Sequence, residues 1–148
     1  MIIKKWDDQH PLTTTEQNEL VDFLYTHLQE YGDEKKDIAS CLNYAMNRLS
    51  ELPTSGTVFS AYVKDELAGV AVVNETGMKD YIPENILVYI ATHNAYRGQG
   101  IASGLIKEVI STCKGNIALH VEHENPAKKL YEKLGFTNKY SEMRFIKN

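Results

Sequence analysis

Apolar positions recur along the chain with two different periods, and the change between them divides it. From Leu20 through Phe23, Leu24, Leu28 and Tyr31 they return every three or four residues, one face of a helix. Thr13 with Glu16 forms a capping-box start for that helix, and Gly32 stops it. A second helix is predicted from about Asp33 to Glu51, with Ile38, Leu42, Ala45, Met46 and Leu49 on one face, before Pro53 and Gly56 break the pattern. From Thr57 the period shortens to that of strands. Val58 to Val63 and Leu67 to Val73 flank a polar turn at Lys64-Asp65-Glu66, which reads as an antiparallel hairpin. Residues 1 to 6 form a further short strand, ended by Asp7, Asp8 and Pro11.

The apolar run Ile86 to Ala91 predicts another strand, and a short loop then leads into a helix with Ile101, Leu105, Ile106, Val109, Ile110 and Cys113 on its buried face. Ile117 to Val121 reads as a strand again. Strand, helix, strand within this length is a right-handed crossover between parallel strands. Asn125 and Pro126 start a last helix as N-cap and first helical residue, and Gly135 ends it. The tail from Phe136 to Ile146 has room for two more short strands, with a turn near Tyr140. The expectation is one mixed α/β domain over residues 1–148. Its central sheet is mostly antiparallel, of six to seven strands with one parallel pair, and helices cover both faces.

Composition narrows the function. With 148 residues, 43% of them hydrophobic, the chain can bury a core without staples. Sixteen basic against twenty acidic residues, a formal net charge of −4, argue against a nucleic-acid partner, which needs a basic patch to displace counterions. Cys41 and Cys113 stand far apart and in no paired motif, so no disulfide framework or zinc site is signalled. No stretch approaches the roughly 20 apolar residues of a membrane span, and no apolar core follows Lys4 and Lys5 as it would in a secretory signal. A soluble, cytoplasmic protein without membrane partners is expected.

The chemistry concentrates between Ile86 and Ala102. Gly98 and Gly100 sit where a strand's loop becomes a helix, so the backbone turns tightly and presents bare N–H groups at a helix end that carries partial positive charge. That arrangement seats a pyrophosphate. A second constellation, Asn125-Pro126-Ala127-Lys128-Lys129-Leu130-Tyr131-Glu132-Lys133-Leu134-Gly135-Phe136, follows at a fixed distance.

Together the two segments resemble the GNAT superfamily of acyl-CoA-dependent N-acyltransferases. Arg97-x-x-Gly100-x-Ala102 is similar to the family's pyrophosphate motif, and Asn125 to Phe136 to its later Asn, Leu-Tyr, Gly-Phe segment. The resemblance covers about residues 57 to 148. It implies a GNAT-like sheet, acetyl-CoA as co-substrate and an amine as acceptor, with no metal. Arg97, Gly98, Gln99, Gly100, Ile101 and Ala102 would receive the pyrophosphate, and the backbone of Ile90, Ala91 and Thr92 would pair with the pantetheine arm where the parallel strands splay. Asn125 would bond the same arm. Tyr131 would serve as general acid at the leaving sulfur, and Glu84, just ahead of the central strand, would serve as base through water.

Other readings compete. A non-catalytic acyl-CoA sensor would keep the same pyrophosphate seat, but would have no need of a proton donor at Tyr131. A dinucleotide fold matches Gly98-x-Gly100-x-x-Ser103 and Glu122 only formally, since the third glycine is serine and too little chain follows for a doubly wound sheet. In His120-Val121-Glu122-His123 a strand would point the two histidines to opposite faces, which does not suit one ion. Glu30, Asp33 and Glu34 could draw in a cationic amine, but Lys35 and Lys36 stand beside them, and the run reads as a solvated charged surface. Exposed sheet edges leave room for a homodimer.

Overall fold

The computed structural model describes residues 1–49 and 53–148. Five strands form one sheet in the order β1-β2-β3-β4-β5: Ile2–Trp6, Gly56–Val63, Glu66–Glu75, Asn85–Thr92 and Ile117–Leu119. Neighbours are antiparallel except β4 and β5, which run parallel. The hairpin between β2 and β3 closes on Lys64 and Asp65, both with positive φ (50° and 66°), the two-residue turn whose twist suits paired strands.

Helices α1 (Thr14–Leu28) and α2 (Lys35–Ala45) lie on one face of the sheet, and α3 (Ile101–Thr112) and α4 (Ala127–Lys133) on the other. Thr13 Oγ1 accepts from Glu16 N–H at 3.1 Å while Glu16 Oε1 accepts from Thr13 N–H at 2.9 Å, so the predicted capping box starts α1. Leu20, Phe23 and Leu24 of α1 and Ile38, Leu42 and Ala45 of α2 pack over Val58, Val70, Val72, Tyr89 and Ala91. On the opposite face Ile101, Leu105, Ile106 and Val109 of α3, with Tyr131 of α4, cover Phe59, Ala61, Ala71, Val73 and Leu87. Strands β2 and β3 are buried on both faces, and β4 largely so apart from the exposed Val88, which is why they read as apolar runs rather than as alternating ones.

Three sequence expectations are corrected. The second helix ends at Ala45 rather than running to Glu51, because Asn47 turns to positive φ (56°); Glu51 itself lies outside the described residues. The strand expected to reach Val121 stops at Leu119. Among the described residues the sheet has five strands, not six to seven. The tail after Gly135 carries no strand, and Met143 and Phe145 stand 93% and 86% exposed.

Candidate active site

The site is built on an irregularity in β4. Val72 of β3 pairs with Tyr89 and Val73 with Leu87, so Val88 is an extra residue with no partner on β3. The bulge reverses the facing of the strand: Leu87 points into the core beneath α3, whereas Tyr89 and Ala91 point beneath α1 and α2. The parallel pairing with β5 stops at the same place. Its three rungs are Asn85 with Ile117, Ile86 with Ala118 and Leu87 with Leu119. Beyond them the stretch from Val88 to Thr92, paired with β3 from Tyr89 onward, meets no strand on its other edge among the described residues, leaving roughly 17 Å of open edge at about 3.3 Å per residue. Ile90, Ala91 and Thr92 lie within that stretch.

Asn85 anchors the closed end of the pair. It is 4% exposed, donates from Nδ2 to Lys114 O at 2.7 Å, and donates its own N–H to Asn116 O at 3.1 Å. Sequence reasoning gave this residue no role. Glu84 sits beside it with its carboxylate against Gly115, where a Cβ would come within 2.1 Å of Glu84 Oε2. Three paired rungs therefore separate Glu84 from the start of the open edge.

At the other end of β4 the chain turns through His93 and a short 3-10 segment, Asn94–Tyr96, into the glycine loop. Gly98 and Gly100 have φ of 77° and 82°, a region in which side chains are strained, and a Cβ on either would meet nothing within 4 Å. The loop is open above its glycines. The first helical bond of α3 runs from Gly104 N–H to Gly100 O at 3.0 Å, and no side chain caps the N–H groups of Ile101, Ala102 and Ser103 before it. Donors and helix dipole thus converge on a place suited to an anion. Gly69 of β3 links the two parts: it pairs with Thr92, and a Cβ there would lie 2.6 Å from Ile101 Cγ2. Only glycine lets the start of α3 approach the end of β4 so closely.

Arg97 donates from Nη2 to His27 O at 3.3 Å, tying the loop to the last turn of α1. The His27 and His93 rings stand 4.3 Å apart, and His93 Nδ1 accepts from Ala95 N–H at 3.0 Å. Burial lowers the His27 pKa, with the neighbouring His93 and Arg97 adding to the effect and Asn94 opposing it.

In the second constellation Pro126 already has helical dihedrals (φ −62°, ψ −20°), and Asn125 Oδ1 accepts from Ala127 N–H at 2.9 Å. Asn125 thus caps α4, with its Nδ2 left to donate. Gly135, at φ 103°, lets the chain fold back so that Phe136 N–H bonds Tyr131 O at 3.0 Å and the Phe136 ring meets the Tyr131 ring edge-on at 5.9 Å. The Leu-Tyr and Gly-Phe pairs are therefore one device that seats the tyrosine. Tyr131 is 8% exposed, and its hydroxyl makes no hydrogen bond among the described residues. Burial pushes its phenol up to about 12, so it is protonated at neutral pH. It lines a groove of about 720 Å³ with Leu119, His120, Val121 and Tyr140. The tail thus borders β5 and α4.

Neither cysteine is poised as a nucleophile. Burial raises the Cys41 thiol to about 12 and the Cys113 thiol to about 11, so neither is ionised at neutral pH. No helix is long and apolar enough to cross a membrane among the described residues.

The sequence profile of the acetyltransferase (GNAT) domain matches residues 54–138, and this chain belongs to that family. A segment of 54 residues is 41% identical to the Cysteine-rich protein 2-binding protein of Mus musculus and of Homo sapiens. That match covers 36% of this chain and 7% of either relative. Among solved structures, the ribosomal-protein-alanine N-acetyltransferase from Brucella melitensis biovar Abortus 2308 is similar with a TM-score of 0.66 at 17% identity, over 98% of this chain and 97% of that one. The aminoglycoside N-acetyltransferase AAC(6')-Iy, solved in complex with CoA, gives 0.66 at 17% identity over 99% and 93%. A GNAT family acetyltransferase from Streptococcus pneumoniae TIGR4 gives 0.68 at 18% over 99% and 97%. At such identities the likeness is one of fold.

Proposed function

We propose that this domain transfers an acetyl group from acetyl-CoA to a primary amine by direct attack within a ternary complex. The observation that carries the reading is the open edge of β4 ending beside the uncapped start of α3. An amide-rich pantetheine arm pairs like a strand with Ile90 to Thr92, and its pyrophosphate rests on the N–H groups from Gly98 to Ala102, with Arg97 adjacent. The Asn125 amide, whose oxygen is taken up by Ala127 N–H, would donate to the same arm. Diphosphate and arm together fix where the thioester lies.

The neutral amine attacks the thioester carbonyl carbon, forming a C–N bond, and the C–S bond breaks with its electron pair passing to sulfur. Tyr131 donates its proton there, so the departing group leaves as a thiol. The attacking nitrogen gives its extra proton to water, which relays it to Glu84, three rungs from the start of the open edge. Because neither thiol is ionised, no acyl-cysteine step is invoked.

Incubation with acetyl-CoA and a panel of primary amines, with free thiol followed, tests this. Amine-dependent thiol release is expected; tight acetyl-CoA binding without it would favour a sensor. Glu84→Gln is expected to lower turnover most at the acid side of the pH profile, and an unaltered profile removes Glu84 from the mechanism.

A further inference from the structure

Asp33 lies at the junction of α1 and α2, and its Oδ2 accepts a 2.5 Å hydrogen bond from the Tyr89 hydroxyl. Tyr89 is the first residue of β4 beyond the bulge and is 8% exposed, its ring packed beneath α1 and α2. Burial raises its pKa, and Asp33 raises it further, so the phenol remains the donor and the carboxylate the acceptor. One exposed carboxylate is thus fixed a single hydrogen bond away from the open stretch of the strand.

The neighbouring lysines do not neutralise it. Lys35 pairs with Asp22 of α1 at 3.0 Å, and its ammonium lies 5.1 Å from the Tyr25 ring centroid. Lys36 pairs with Glu34 at 3.4 Å. Among the described residues Asp33 has no basic partner. With Tyr25, Gln29, Gly32, Asp37 and the Glu34–Lys36 pair it lines a hollow of about 760 Å³ that is widely open to solvent, three carboxylates facing one ammonium. Within this solvated charged run Asp33 is therefore the carboxylate held from β4, by Tyr89, rather than by a lysine.

We propose that Asp33, oriented by Tyr89, binds an ammonium group of the acceptor, and that the acceptor carries a second amino group which is the one acetylated. The inference rests on the acetyl transfer described above. Its logic is protonation: an ammonium against a carboxylate is stabilised in its charged form, and a charged nitrogen has no lone pair with which to attack. The nitrogen held at Asp33 and the nitrogen that reacts are therefore different atoms. The acceptor class is a diamine or more highly charged amine, and a monoamine lacks the anchor.

Butylamine and 1,4-diaminobutane share a carbon chain and differ by one ammonium, so titrating each into protein saturated with coenzyme A isolates the anchor. The diamine is expected to bind about tenfold more tightly, as a hydrogen bond between charged groups allows. Raising salt should narrow the difference. Asp33→Asn, which can still accept from Tyr89, should abolish the preference while leaving coenzyme A affinity unchanged. Tyr89→Phe should weaken it partly. Equal binding of the two amines by the native protein, or a preference that survives Asp33→Asn, overturns the proposal. Retained diamine preference without any amine-dependent thiol release would instead sink the acetyl-transfer reading and leave the Asp33 site standing.

Discussion

Leu87 of β4 and Leu119 of β5 form the last rung of the parallel pair, and the residue after Leu87 is the bulge at Val88. One local irregularity therefore does two things: it ends the pairing, and it turns the facing of Tyr89 toward α1 and α2. The open edge of β4 and the Tyr89–Asp33 contact are set by the same extra residue. The closed end must hold firm for the open end to stay open, and Asn85 holds it.

Asn85→Ala should therefore destabilise the domain well beyond a surface change. The side chain is buried and satisfies Lys114 O, which would lose its partner. Lys114 is itself exposed, so water can reach its carbonyl and the loss is that of the hydrogen bond, about 0.5–1.5 kcal/mol. Urea unfolding should show a lower midpoint of that size with an unchanged slope. A shift below a few tenths of a kcal/mol would mean that β5 is held by other contacts.

Gly100→Ala should weaken acetyl-CoA binding more than it weakens the fold. At φ 82° an alanine is strained by about 1–2 kcal/mol, which the loop relieves by moving its N–H groups away from their common focus. Open space over Gly100 means that no protein packing opposes the change. Calorimetry should show affinity reduced by about tenfold, as 1.4 kcal/mol dictates. Unchanged affinity would remove this loop from the donor site.

The glycine loop was legible in the chain because its chemistry is local: positive φ, a strand before it and a helix after it follow one another without a break from Asn85 to Thr112. The capping box at Thr13 and the hairpin turn at Lys64-Asp65 were legible for the same reason. The bulge was not. Ile86 to Ala91 is apolar at every position, so its alternation carries no phase from which a slip could be read. The tail misled for the opposite reason, since Tyr140, Met143 and Phe145 have strand-like character but pair with no strand of the sheet. Asp33 and Tyr89 are 56 positions apart, and only the folded sheet brings them together.

Mild acid should destabilise the protein through His27. Its folded pKa lies below the ordinary value of about 6.5, first because of burial and then because of His93 and Arg97. As pH falls the unfolded chain takes up the proton first, so stability present above about 6.5 is lost as pH drops through the folded value. Thermal melts at successive pH values from 7.5 to 5 should show a decline, and His27→Asn should flatten it. An identical decline in that variant assigns the effect to other groups.

Tyr131→Phe separates chemistry from binding. The ring is buried, its edge contact with Phe136 does not involve the hydroxyl, and no hydrogen bond to that hydroxyl is present among the described residues. Phenylalanine should therefore leave the fold and the acetyl-CoA affinity nearly unchanged. A proton donor at a leaving group contributes about 10²–10⁴-fold, and part of that survives because a thiolate departs without help near neutral pH. Turnover should fall by at least about tenfold while the KM values move little, and the loss should shrink with a thioester whose thiol has a lower pKa. That dependence on the leaving group is the signature of proton donation; a loss of equal size for every thioester would make Tyr131 a packing residue that happens to carry a hydroxyl.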